Sequence, residues 1–229
     1  MSSALLPAPL TLDFSLEDVV LHGDLVMPPQ ARGVVLFAQG GGSSRMSPRT
    51  RTVAAFLNQA GFGTVLLDLL TEHEAQVDDV THWYRFEVDL LAHRLIEVAE
   101  QLTVLPATRR LPIGCFGAST GAAAALVAAA ARPELLRTVV SRGGRPDLAG
   151  PALRQVHAPT CLIVGGADRE ILSINAQALG HLHAAKSLEI IPGATHLFLE
   201  PGALQQVARL GLRWMGQHLA PPLVPRSDH

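Results

Sequence analysis

Apolar and polar residues alternate along Leu10–Leu16 and Val19–Met27, the pattern of an antiparallel pair with one face in solvent. The period then changes. Apolar runs of three to five residues follow at Val34–Ala38, Thr64–Leu67, Ile113–Phe116, Thr138–Val140, Cys161–Val164 and Leu188–Ile191. Strands of this kind bury both faces, as in a parallel sheet covered by helices. Helical patterns lie between them at Pro48–Ala60, Phe86–Gln101, Gly121–Ala131, Ser173–His183 and Gly202–His218. Ser47 is placed to cap the first, with Pro48 at its opening position. The stretch Thr71–Tyr84 reads as a loop. Right-handed crossovers then imply an α/β fold: a mostly parallel sheet with helices on both faces and an N-terminal antiparallel hairpin.

Glycine and proline are spread along the chain, and no repeat or linker divides it. A single domain over 1–220 is expected, with 221–229 a loose polar tail whose Leu223-Val224-Pro225-Arg226-Ser227 resembles a protease-site scar. Hydrophobic residues make up 48% of 229 and charged residues 17%, enough apolar surface for a core. Eighteen Lys and Arg against twenty Asp and Glu leave no basic footprint for nucleic acid and no polybasic membrane anchor. The apolar run 122–131 is too short to span a bilayer. Cys115 and Cys161 lack metal-ligand spacing and sit in apolar strands, so neither a disulfide scaffold nor structural zinc is expected. With no signal-peptide pattern at the start, a cytoplasmic location is expected.

The strongest chemical signal is Gly117-Ala118-Ser119-Thr120-Gly121, between a strand and a helix. A nucleophile on a sharp strand-to-helix turn needs small residues two before and two after, because a Cβ there would clash. The turn also aims the helix N-terminus at a developing negative charge. A serine hydroxyl needs a base. Of ten histidines, His196 in Pro192-Gly193-Ala194-Thr195-His196-Leu197-Phe198 falls just past the last strand, on the edge where Ser119 lies. His73 and His82 lie in the Thr71–Tyr84 stretch and are weaker candidates. Asp168, after Gly165-Gly166-Ala167, completes the chain order Ser…Asp…His, with Asp147 as its competitor. For an oxyanion, the candidate donors are the N–H of Thr120 and that of Gly40 or Gly41 in Gln39-Gly40-Gly41-Gly42-Ser43-Ser44-Arg45. No Lys-Ser/Thr follows these glycines, as a nucleotide-phosphate loop would require. Candidate substrate contacts are Gln39, Arg45, Arg142, Arg145 and Trp83. Guanidinium suits carboxylate and phosphate, while loop anchoring would use the arginines equally well. Trp83 and Tyr84 either wall the crevice or staple their segment to the long helix.

The Gly-Ala-Ser-Thr-Gly turn, Ser-Arg-Gly-Gly-Arg-Pro-Asp-Leu at 141–148 and Pro-Gly-Ala-Thr-His-Leu-Phe at 192–198 resemble the dienelactone hydrolase-like branch of the α/β-hydrolases, from about residue 15 to 219. The resemblance implies that fold, without a cap domain because 141–159 is short. Dienelactone hydrolases use a cysteine nucleophile. Serine at 119 turns the expectation to a serine carboxylesterase acting on small esters, with no metal or organic cofactor. Many relatives begin the oxyanion loop with His-Gly, whereas this chain has Gln39-Gly40. Thioesterase, lactonase and amide hydrolase are alternatives on the same triad, and a non-catalytic binding module is another class altogether. A homodimer stays open.

Overall fold

A computed structural model describes residues 6–219, so the reading of 221–229 lies outside the described residues. Eight strands form one sheet: β1 (Leu10–Ser15), β2 (Val20–Val26), β3 (Val34–Ala38), β4 (Gly63–Leu67), β5 (Ile113–Ala118), β6 (Leu136–Arg142), β7 (Thr160–Gly165) and β8 (Lys186–Ile191). Their spatial order is β1-β2-β4-β3-β5-β6-β7-β8. The β1–β2 and β2–β4 pairs are antiparallel, and every later pair is parallel. Among the described residues six α-helices accompany it: α1 (Pro48–Gln59), α2 (Glu72–Thr81), α3 (Val88–Val104), α4 (Thr120–Ala131), α5 (Arg169–His181) and α6 (Ala203–His218).

The apolar runs behave as their composition demands. All five residues of β3 are buried. Because side chains alternate across a strand, Val34, Leu36 and Ala38 join a core with α3, α4 and α5, while Val35 and Phe37 join another with α1 and α6. Nine of the twelve residues of α4 are buried, six of them alanine, which lets this helix pack closely over the middle of the sheet. Cys115 and Cys161 are buried free thiols, each pushed up to about 12 chiefly by burial, so they are inert core residues.

Three expectations are corrected. The segment 71–84 is no loop: it carries α2, followed by a 3-10 turn at Tyr84–Phe86. Thr71 and Glu74 make a capping box there, each side chain accepting from the other's backbone N–H. Helix α5 starts at Arg169, four residues before the expected Ser173, directly behind Asp168. Ser47 stands at the cap position of α1, but its hydroxyl makes no capping bond. Between β6 and β7 the chain holds only a 3-10 segment, Pro146–Gln155, kinked at Gly150, and no cap is seen among the described residues.

Candidate active site

The loops at the C-terminal ends of the parallel strands meet on one edge. Ser119 stands between β5 and α4 with φ 51° and ψ −124°, a conformation that costs an L-residue of order 1–3 kcal/mol. Its surroundings enforce this. The Ser119 N–H donates to the Arg142 carbonyl at 3.3 Å, and the Arg145 N–H donates to the Ser119 carbonyl at 3.1 Å. A Cβ at Gly117 would overlap the backbone of Ala122, and one at Gly121 the carbonyl of Ala38. That is the physical content of the two flanking glycines: the turn closes only where backbone can touch backbone.

His196 arrives on the loop after β8, and its Nδ1 lies 2.8 Å from Asp168 Oδ2. Asp168 is mostly buried at the end of β7, with its own N–H bonded to the Gly165 carbonyl. The imidazole lies against Gly143, where a Cβ would come within 3.4 Å of its Cε1. Gly143 follows Arg142, whose carbonyl holds the Ser119 amide, so the ring stands at the elbow. The loop is braced by Glu200, which accepts from both the N–H and the hydroxyl of Thr195. Asp147 faces elsewhere, in a fork with Arg145 Nε and Nη2.

Across the elbow lies the Gln39–Arg45 loop. A Cβ on Gly40 would stand 2.8 Å from Ser119 Cβ, and Gly41 N–H points at Thr120 Oγ1 over 3.4 Å. Gly41 is also packed so closely on Arg85 that a Cβ would overlap that side chain. Arg85 is fixed in turn by Asp78, which accepts from its N–H at 2.9 Å and its Nε at 2.8 Å. A cleft of about 490 Å³ opens here, lined by the Gly40–Arg45 loop and by α2. It meets Ser119 at Gly40 rather than along the side chains of Ser119, Asp168 and His196. Its walls are mixed: Asp68, Glu72, Asp79, Ser43 and His22 alternate with Leu69, Leu70, Ala75 and Leu91.

The other sequence candidates separate. Arg45 is tied to Asp68 and Asp24, and Arg145 to Asp147. Trp83 is 66% exposed, lies outside the cleft lining and donates its indole N–H to Glu87 at 2.6 Å, so it staples its segment to α3 instead of walling the cleft. His82 ends α2 in a left-handed conformation, and His73 lies in its first turn. Gln39 is buried, its Oε1 accepting from Thr50 and Ser43. Arg142 has no ion-pair partner among the described residues. The sequence reading missed Asp78, Arg85 and Arg49. Arg49 carried a readable signal: a cation in the first turn of a helix opposes the macrodipole unless something negative is near. Among the described residues no group of three or more His, Cys, Asp or Glu could hold a metal ion, and no helix is long and apolar enough to cross a membrane.

A strand–serine elbow, a histidine–aspartate pair and a glycine loop on one sheet edge invite comparison with known proteins. The model of the dienelactone hydrolase family matches residues 21–210. The chain belongs to this family. A crystal structure of a dienelactone hydrolase from Anabaena variabilis is 53% identical, with TM-score 0.91, covering 93% of this chain and 99% of that one. The ferulic acid-bound structure of Est1E from Butyrivibrio proteoclasticus is 15% identical with TM-score 0.77, covers 90% of this chain and 98% of that one, and is a likeness of fold alone. Two curated sequences from strains of Mycobacterium tuberculosis, each named "Putative phosphoribosyl transferase", are 52% identical over 205 residues. That alignment covers 89% of this chain and 45% of theirs, so the chain spans about half the length of the curated relatives it matches.

Proposed function

We propose that this chain is a hydrolase, a serine carboxylesterase acting on small, short-acyl esters. The observation that carries the reading is the strained Ser119 elbow on the same edge as the His196–Asp168 pair. In the proposed reaction Ser119 Oγ attacks the ester carbonyl carbon while His196 Nε2 takes its proton. Asp168 holds the Nδ1–H and supports the imidazolium. The oxyanion is received by the N–H of Thr120 and one of Gly40 or Gly41. Collapse expels the alcohol, which takes the proton from His196 and leaves an acyl-serine. Water, deprotonated by His196, attacks the acyl carbon and releases the acid and Ser119.

The mixed lining of the cleft supports the preference for short acyl groups. Each added methylene gains about 0.8 kcal/mol only if it is buried against apolar surface, and here Asp68, Glu72, Asp79 and Ser43 interrupt the apolar patch of Leu69, Leu70, Ala75 and Leu91, which suits a short chain better than a long one. The name phosphoribosyl transferase belongs to proteins about twice as long. We attribute it to their unmatched part, since the matched part is the dienelactone hydrolase family domain. Location in the cytoplasm, a small-molecule ester as partner and independence from cofactors are parts of the same proposal.

The test joins a fluorophosphonate probe with aryl esters of two to twelve carbons. Modification at Ser119, loss of turnover by several orders of magnitude in Ser119→Ala, and an optimum at roughly two to four carbons are expected. Wild-type turnover in Ser119→Ala would overturn the nucleophile. Efficiency that rises through long chains would replace the reading with a lipase.

A further inference from the structure

Six arginines gather near this edge of the sheet: Arg45, Arg49, Arg51, Arg85, Arg142 and Arg145. Four of them have carboxylates. Arg45 and Arg51 share Asp24, Arg45 also takes Asp68, Arg85 holds Asp78, and Arg145 holds Asp147. Arg142 and Arg49 have none among the described residues, and Arg49 Nε is buried without a hydrogen-bond partner. Arg142 ends β6 in register with Ala118, the residue before Ser119. Residues paired across a parallel sheet point to the same face. Val140, two residues back, packs with α1 and α6, so Arg142 faces α1, whose first turn carries Arg49. The same turn holds no acidic residue, so the free N–H groups of a twelve-residue helix add to the positive field.

Two like charges set together beside a helix N-terminus are unfavourable by themselves. Burial pulls the Arg142 guanidinium down to about 10, and the neighbouring Arg49 adds to the effect. Four arginines of this edge have a counter-charge, and the neighbours Arg142 and Arg49 have none among the described residues. We propose that Arg142 and Arg49 form an anion subsite that holds a carboxylate or phosphate group of the substrate beside Ser119. The small cavity between Phe37, Gln39, Thr50 and Arg142 has about 10 Å³, room for one water at most. The anion therefore meets Arg142 from the solvent side, where the residue keeps part of its surface exposed. A planar guanidinium offers paired donors to either oxygen group, and two of them with helix N–H groups suit a phosphate as well as a carboxylate.

The inference rests on the esterase reading for the word substrate, but its test separates the two. Inorganic phosphate and succinate are each titrated, at low ionic strength, into full-length Ser119→Ala protein and into the same protein carrying Arg142→Met or Arg49→Met, with thermal shift as readout. Stabilisation by one or both anions, weakened roughly ten- to a hundredfold in apparent affinity by either arginine change, is expected. Which anion binds tells phosphate from carboxylate. In wild-type, Arg142→Met and Arg49→Met proteins, the ratio of kcat/KM for 4-nitrophenyl hydrogen succinate to that for 4-nitrophenyl acetate is compared. A tenfold or greater fall in that ratio is expected. Anion binding that ignores both substitutions, or an unmoved ratio in an active enzyme, overturns the subsite and leaves the esterase standing. Arginine-dependent binding in a protein that hydrolyses no ester keeps the subsite and overturns the esterase. Arg49→Met, at a half-buried position in the first turn of α1, serves as the second variant should Arg142→Met fail to fold.

Discussion

The two flanks of the candidate site are held by different forces. On the β5–β8 flank the backbone does most of the holding: Ser119 is clamped by two backbone hydrogen bonds, to Arg142 at the end of β6 and to Arg145 just beyond it, and the N–H groups of Asp168 and Gly166 donate to the carbonyls of Gly165 and Ile191. On the β3–α2 flank, charged side chains hold the loop. Arg85–Asp78 supports Gly41, Arg94–Glu74 ties α2 to α3, and Arg45–Asp68 closes the loop's far end. Side-chain exposure is 2% for Asp78 and 6% for Arg94, so these are not surface pairs. Backbone bonds survive most side-chain replacements. A buried pair does not, because the remaining charge is left without compensation. The β5–β8 flank, where the proposed chemistry lies, should therefore lose chemistry before stability, and the charged flank stability before chemistry.

The largest effect that tests this contrast is on turnover. Asp168→Asn leaves the imidazole in the wrong tautomer and its cation unsupported, so kcat should fall by about four orders of magnitude with little change in Tm. Asp147→Asn, which touches only Arg145, should stay near wild type. Steady-state kinetics and melting curves on both variants decide it. A reversed result would place the acid after β6.

Next comes stability. Asp78→Ala strands the Arg85 guanidinium beside Gly41 and should cost about 3–5 kcal/mol in urea unfolding. Asp78→Ala with Arg85→Met removes both charges and should recover much of that loss. If the single variant unfolds at the wild-type midpoint, the charged flank is not what holds the loop.

The same contrast governs what was legible in the sequence. The backbone-held flank could be read because its signals are local: apolar runs, glycines two either side of Ser119, an aspartate and a histidine just past two strands. The charged flank was not. The segment 72–81 is polar nearly all round, with only Asp78 buried, so no apolar stripe marks it as a helix. Its one local sign is Thr71-Glu72-His73-Glu74, the capping-box spacing. The pairing of Glu74 with Arg94, twenty residues on, depends on how α2 lies against α3 and leaves no trace in spacing. The same holds for Arg45 and Arg145, which composition offered as substrate ligands and the fold commits to Asp68 and Asp147.

The smallest effect sharpens the contrast through pH. Burial would raise the Glu74 carboxyl, but hydrogen bonds from Arg94 and the Thr71 N–H outweigh it and hold the group below its ordinary value of 4.5. A carboxyl depressed on folding stabilises the protein above its unfolded pKa, and that stabilisation is lost as pH falls through the folded pKa. Glu74→Gln keeps a carbonyl for the Thr71 N–H but removes the charge that Arg94 holds. The stability gap between wild type and Glu74→Gln should thus be full at pH 7 and shrink progressively below about pH 4.5. Urea unfolding of both proteins between pH 7 and pH 3 measures the gap directly. A gap that stays constant across that range would mean that Glu74 acts through its shape at the helix cap, and the Arg94 pair would lose its place among the forces holding this flank.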